Sequence, residues 1–295
     1  VFVRQEYSGE SFDLLIGVHA RKSSSAIRRF HAQYPERPLI VALSGTDLYQ
    51  DLPRDNPGAR KSLQLATRIV ALQPKATEQL DPHLRDKVRV IFQSVPSRPN
   101  KNAPLDLELA TKPGPTRKRA GFEICVVGHL RAVKDPFRAA LAARLLPLAS
   151  RIRIVHVGSA MTPAMEARAL REMRVNRRYR WLGRQTQSLT SAILARSNLC
   201  VLSSRMEGGA NVLSEAVVAS VPILASKIPG TVGVLGEEYP GYFDVGSSAQ
   251  LADLMLRAES DPVFLQELVR GVKRVADYFS PARERTAWVD LLSEL

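Results

Sequence analysis

Two carboxylates eight residues apart, Glu207 and Glu215, give the sharpest chemical signal in this chain. They lie in SSRMEGGANVLSEAV, which follows an apolar run, turns through Gly208 and Gly209, and opens a helix carrying Ala210, Val212, Leu213 and Ala216. Glycines let backbone approach a ligand closely, and a helix start offers unpaired N–H groups to a phosphate. A carboxylate in the first turns of that helix can accept paired hydrogen bonds from ribose hydroxyls. Taken alone, the spacing favours a blander reading, a helix cap with a solvated glutamate.

A second segment, VVGHLRAVKDP, changes the balance. Gly128 ends a strand-like run, and His129, Arg131 and Lys134 follow before a helix start at Pro136. Two fixed cations beside a helix N-terminus suit a diphosphate. Paired with the Glu207–Glu215 segment, this turn reads as a nucleotide-diphosphate site at the carboxyl edge of parallel strands. RYRWLGRQT adds a strand end and a loop at Gly183 and Arg184, with Trp181 read as core packing rather than base stacking.

The elements that must position these groups alternate between short apolar runs and helical patterns, the signature of parallel sheets with crossover helices. VFVRQ, DLLIGVHA, PLIVALSG, RIVALQ and VRVIFQS are strand candidates in the first part, with SSSAIRRFHAQ and ARKSLQLAT as helices. A stretch rich in Pro and charge, SRPNKNAPLDLELATKPGPTRKRA, reads as an interdomain linker. FEICVVG, RIRIVHVG, YRWLG, NLCVLSS, VPILAS and GYFDVG restart the alternation. Asp135–Pro136 reads as an N-cap and first-turn pair ahead of Phe137, Leu141 and Leu145 on one face, and Thr162–Pro163 repeats the device. FSPARERTAWVDLLSEL reads as a terminal amphipathic helix. The division expected is 1–113, 114–276 and a terminal helix at 277–295 that packs back toward the first domain. The chain opens at what reads as a second strand, so a βα unit of on the order of 30 residues is expected to precede it.

Composition sets the outer limits. An apolar fraction of 45% with 24% charged residues fits a globular protein, and no apolar run approaches a membrane span. No secretory signal is read at the start, and Cys125 and Cys200 sit in apolar runs as buried thiols, so a cytoplasmic protein without disulfides is expected. The formal charge of +13 suits polyanionic substrates or nucleic acid. The basic residues are dispersed and no nucleic-acid motif accompanies them, which argues against the second.

The order G-x-L-x-x-x-K, W-L-G, then S-x-x-x-E-G with a second Glu eight residues on resembles the C-terminal domain of family 4 glycosyltransferases of the GT-B fold. The resemblance implies two Rossmann-like α/β domains with parallel sheets facing across a cleft. It also implies that Glu215 binds ribose, Glu207 faces the donor sugar, and Lys134 with Arg131 neutralises the diphosphate. Arg131, Lys134 and Glu207 are then the catalytic candidates. Gly128, His129, Gly183, Arg184, Gly208, Gly209, Ala210 and Asn211 complete the donor set. The family usually has Arg directly after the strand Gly, where His129 stands, and EGGAN replaces a commoner EGFGL.

Within that family, LLIGVHARKS, LSGTDLYQDL, ICVVGHLRAVKDP, RYRWLG, SSRMEGGANVLSEA and ILASKIPGTVGVLGEEYPGYF are similar to the selenosugar synthases (SenB) of selenoneine biosynthesis. That resemblance implies transfer from a UDP-sugar, UDP-N-acetylglucosamine above all, to selenophosphate, with release of a selenosugar, UDP and phosphate. Its pathway neighbours would be selenophosphate synthetase and selenoneine synthase, and it needs no cofactor. Strand ends of the first domain are the acceptor candidates: Arg21 and Lys22 for the phosphate, Thr46 as a donor, and His19 beside them. Asp47 reads as an N-cap or orienting partner rather than a base. Five histidines at 19, 31, 83, 129 and 156 show no ligand spacing, so metal independence is expected. The rivals are a family 4 enzyme with a hydroxyl or lipid acceptor, a UDP-sugar epimerase, and a basic binding module. No stable membrane insertion is expected, since no clear amphipathic membrane helix with aromatic anchors is found.

Overall fold

A computed structural model describes residues 1–95 and 121–295, and the linker read from the sequence lies outside them. By their contacts, the residues form two compact units. Val1–Ser94, Met206–Gly209 and Pro281–Leu295 make the first, and Val95–Arg205 with Ala210–Ser280 make the second.

In the first unit four parallel strands run in the order β1-β2-β3-β4: β1 Leu15–Val18, β2 Leu39–Ala42, β3 Arg68–Ala71 and β4 Val88–Val90. Side chains alternate across a strand, and here each face has its own cover. Leu39 and Val41 of β2 and Ile69 and Ala71 of β3 face a core with Ile27 and Phe30 of α1 (Ser24–Gln33) and Leu63 of α2 (Pro57–Leu65). Ile40 and Val70 point the other way and meet Leu291, Ala287 and Trp288 of the chain's last helix, Pro281–Ser293. Glu294, just beyond that helix, takes hydrogen bonds from Arg68 at 3.0 Å and Arg89 at 2.6 Å. The VFVRQ run forms no strand: Val1, Phe2 and Val3 are exposed, with no strand beside them.

The second unit is a six-stranded parallel sheet. Its strands are β5 Phe122–Val127, β6 Ile152–Val157, β7 Tyr179–Trp181, β8 Leu199–Leu202, β9 Ile223–Ser226 and β10 Tyr242–Phe243. Their order is β10-β9-β8-β5-β6-β7. The chain therefore moves outward from β5 to β7, then returns to the other side of β5 as β8. In an open parallel sheet, that reversal leaves a crevice at the carboxyl ends of the two strands. Ile124 pairs with Leu199 and Cys125 with Cys200 across it, and both thiols are free and buried. Burial pushes the Cys200 thiol up to about 12 and the Cys125 thiol well above its ordinary range, so both are inert apolar fillers.

The crossover helices are α3 Arg138–Ala143, α4 Pro163–Val175, α5 Gln187–Arg196, α6 Asn211–Val218, α7 Pro229–Leu235, α8 Ser248–Ser260 and α9 Pro262–Arg274; the last helix of the first unit is α10. Thr162 caps α4 by accepting from Met165 N–H at 3.2 Å, with Pro163 in the first turn. The expected cap at Asp135 does not form. Asp135 adopts a left-handed conformation at φ 43°, and its carboxylate is held by Arg138 at 2.8 Å, leaving Phe137 at the cap position. Because α3 ends at Ala143, Leu145 falls outside it and is 59% exposed, and buried alanines pack that helix instead. Among the described residues no helix is long and apolar enough to cross a membrane.

Candidate functional site

In the second unit, the two segments singled out by their chemistry leave neighbouring strands, β5 and β8, at the reversal point. Ser203, just past β8, donates its hydroxyl to the carbonyls of Lys134 at 3.2 Å and Asp135 at 3.0 Å. Arg205 N–H donates to the Val133 carbonyl at 2.8 Å. The β5 turn and the β8 segment are thus stitched together through backbone. Arg131, exposed, is the cap residue of a short 3₁₀ turn at Ala132–Lys134, and Lys134, half-buried, ends it. His129 is exposed, and its Nδ1 accepts from Ser159 N–H at 3.1 Å, which puts the ring proton on Nε2.

The start of α6 has Ala210 as its cap residue, which supplies no side-chain cap. Asn211 is exposed at that first turn. Glu215, one turn on, is half-buried, and burial raises its carboxyl above the usual glutamate range. Glu207, Gly208 and Gly209 belong by their contacts to the first unit, where Glu207 is buried.

A support beneath the β5 turn gives no signal in the sequence. His156 of β6 is fully buried. Its Nε2 lies 3.0 Å from the Gly128 carbonyl and its Nδ1 2.9 Å from the Tyr179 hydroxyl. A carbonyl can only accept, so Nε2 carries the proton and Tyr179 donates to Nδ1. Burial drives its pKa down to about 4 and keeps it neutral. The Gly128–His129 peptide sits so close over Gly158 that a Cβ there would collide with the Gly128 carbonyl. Gly158 N–H in turn donates to the Gly183 carbonyl, and Trp181 Nε1 donates to the Gly158 carbonyl at 2.8 Å. Trp181 and Gly183 thereby brace the strand ends, with Gly183 at φ 68°, a conformation glycine adopts without strain. Arg184 is exposed beyond them.

In the first unit, the ends of β1 and β2 bring His19, Arg21 and Asp47 together. His19 is only 7% exposed, and it holds a left-handed backbone at φ 71°, unusual for a residue with a side chain. Its Nδ1 lies 2.6 Å from Asp47 Oδ1, off the line of a linear hydrogen bond. Asp47 is fully buried in a π-helical turn, Asp47–Asp51, and accepts from Ser44 N–H at 2.9 Å and Arg21 N–H at 3.3 Å. The cap position of that turn is Thr46, so Asp47 is not its N-cap. Arg21 Nε bonds both oxygens of Asp51 at 2.9 and 3.0 Å, a partner the sequence reading missed; Lys22 is exposed. Ligand-type atoms of His19, Asp47 and Asp51 lie within 4.8 Å of one another, a grouping that linear histidine spacing conceals. A cation there would compete with the guanidinium already on Asp51 and with two N–H groups on Asp47.

Comparison with known proteins follows the same lines. The family model of glycosyl transferases group 1 matches residues 112–275. The chain is 25% identical over 248 residues to glycosyltransferase 1 domain-containing protein 1 of Xenopus tropicalis, covering 80% of this chain and 70% of that one. Its fold is similar to Alr3699/HepE of Anabaena in complex with UDP, at a TM-score of 0.77 and 17% identity, covering 96% of this chain and 79% of that one. A sucrose-phosphate synthase of Thermosynechococcus elongatus is similar at a TM-score of 0.74 and 18% identity, covering 96% and 73% of the two chains.

Proposed function

The chain belongs to the group 1 glycosyl transferases, and on that premise we propose that it transfers a sugar from a UDP-sugar to selenophosphate, as a selenosugar synthase. The observation that carries the donor half is the stitching of the Gly128–Lys134 turn to the β8–α6 segment at the strand reversal. The N-terminus of α6, Arg131 and Lys134 suit a diphosphate there, and Glu215 suits a ribose. The neighbour HepE was solved with UDP and with UDP-glucose, which supports a uridine nucleotide in this reading. The acceptor assignment rests on the sequence resemblance around His19–Lys22 and Ser44–Asp47.

In this reading, selenium attacks the anomeric carbon as the bond from that carbon to the diphosphate oxygen breaks, and the electron pair leaves with UDP. Arg131 and Lys134 stabilise the charge that grows on the departing diphosphate. Glu207 faces the donor sugar, while Gly183, Arg184, Gly208 and Gly209 line the donor. Arg21, Lys22 and Thr46 hold the acceptor phosphate. Hydrolysis of the selenium–phosphorus bond by water then yields phosphate. No metal takes part.

The test measures UDP release from UDP-N-acetylglucosamine with and without selenophosphate, with mass analysis of the product. Selenophosphate-dependent release, insensitive to a chelator, together with a selenosugar mass is the expected result. UDP binding without selenophosphate-dependent release would sink the acceptor assignment and leave the donor site standing.

A further inference from the structure

We infer that His19, oriented by Asp47, is the residue that accepts a proton from the acceptor during sugar transfer. Four observations converge on one atom, His19 Nε2. It is buried and has no hydrogen-bond partner among the described residues. Nature seldom leaves such a nitrogen without a partner, and exceptions concentrate at functional sites. The ring is carried on a left-handed, non-glycine backbone at φ 71°, the kind of local strain that persists where the surroundings enforce it. Its opposite nitrogen faces a fully buried carboxylate, Asp47, whose own two oxygens are fixed by the Ser44 and Arg21 amides. All of this sits at the carboxyl ends of parallel strands β1 and β2, where α/β sheets bind their ligands.

The Asp47 carboxylate 2.6 Å from Nδ1, although off the line of a hydrogen bond, favours the tautomer with its proton on that side and leaves Nε2 as the atom that takes up another. The remaining charged neighbours, Arg21 and Asp51, are already paired with each other at 2.9 and 3.0 Å. The arrangement is that of an oriented base rather than a cation cage. The step is balanced as follows. As an acceptor X–H attacks the anomeric carbon, its proton passes to Nε2, the X–carbon bond forms, and the carbon–oxygen bond to the diphosphate breaks with its electron pair on UDP. Here X is the selenium of a protonated selenophosphate or the oxygen of a hydroxyl, so the acceptor is a nucleophile that arrives with its proton. Asp47 is a positioning residue and acts only through His19. The inference rests on the glycosyltransferase reading but not on which of the two acceptors is used.

The test uses the full-length protein and four measurements: kcat for UDP release, UDP affinity by calorimetry, thermal melting, and kcat with added imidazole. His19→Gly suits the positive φ and opens a ring-sized space, and His19→Asn keeps a residue that tolerates this conformation. Both are expected to lower kcat by roughly 100- to 10,000-fold, the usual contribution of a general base, with UDP affinity unchanged. Imidazole is expected to restore at least about tenfold to His19→Gly, a rescue that loss of a merely structural ring would not show. Asp47→Asn, which misplaces the ring proton, is expected to lower kcat while Asp47→Glu recovers part of it. Wild-type kcat in either His19 variant, or a loss that imidazole leaves untouched in a protein with a normal melt, would overturn the inference. So would loss of wild-type activity on chelation that Zn²⁺ or Mn²⁺ restores. A wild-type protein that releases no UDP with any acceptor would instead refute the glycosyltransferase reading beneath it.

Discussion

The neutral, buried His156 makes a quantitative demand on stability. Its ordinary pKa of 6.5 falls to about 4 in the folded state, because burial penalises the imidazolium and outweighs the bond to the Gly128 carbonyl. The folded state therefore resists protonation, and the unfolded state takes it up first. This contribution is intact above the unfolded pKa and is lost as pH falls from about 6.5 toward about 4. Each unit of difference is worth about 1.4 kcal/mol, so the full gap amounts to about 3 kcal/mol, of which about 2 kcal/mol is lost between pH 7 and pH 5. The assay is urea unfolding at those two pH values, for the wild type and for His156→Gln. Glutamine can still donate to the Gly128 carbonyl but cannot titrate. We expect the wild type to lose about 2 kcal/mol more than the variant over that interval. Equal losses in the two proteins would refute the neutral, bridged state of His156.

Three further outcomes follow from the same geometry. Glu215→Ala removes charge-assisted hydrogen bonds worth about 1.5–3 kcal/mol, so UDP binding by calorimetry should weaken roughly 10- to 100-fold. Because burial raises that carboxyl, wild-type UDP affinity should also fall on acidification at a higher pH than an ordinary glutamate would dictate; unchanged affinity in the alanine variant would remove the ribose assignment. Gly158→Ala drives a Cβ into the Gly128–His129 peptide. A backbone shift costing about 1–3 kcal/mol should weaken UDP binding by roughly tenfold to hundredfold, whereas native affinity would mean that the turn has no part in the site. Leu291→Ala empties a position only 1% exposed between α10 and the first sheet. Urea unfolding should show about 2–5 kcal/mol lost, and a change under about 1 kcal/mol would mean that the helix contributes little there.

What the sequence revealed and what it hid divide along one physical line. Apolar runs such as LIVA and ICVV are continuous because both faces of a parallel strand are buried, and they mark β2 and β5 directly. The turns leaving β5 and β8, marked by Gly128 and by Gly208–Gly209, were legible because backbone requirements are written locally. The supports of those turns were not. His156 meets Tyr179 across 23 positions and Arg21 meets Asp51 across 30, partnerships that only strand order creates. Periodicity also placed Leu145 on a buried face, but it could not foresee a helix that stops at Ala143. The cap expected at Asp135 failed for a similar reason: Arg138 competes for its carboxylate. At Asp135 a charge partner overrides local propensity.

The place of α10 has a consequence for how the protein is made. The first unit takes its sheet from residues near one end of the sequence and part of its covering from Pro281–Leu295. On a ribosome, Ile40, Val70 and Ile91 are therefore synthesised long before Leu291 and Trp288, the side chains that shield them. The second unit, whose strands all lie between, can finish folding while that apolar face still waits. Premature termination between Ser280 and Ala287 would leave the second sheet whole and the first without Trp288 and Leu291 on one side. The nascent chain is thus most prone to aggregate late in its synthesis, when most of its residues have already found their places.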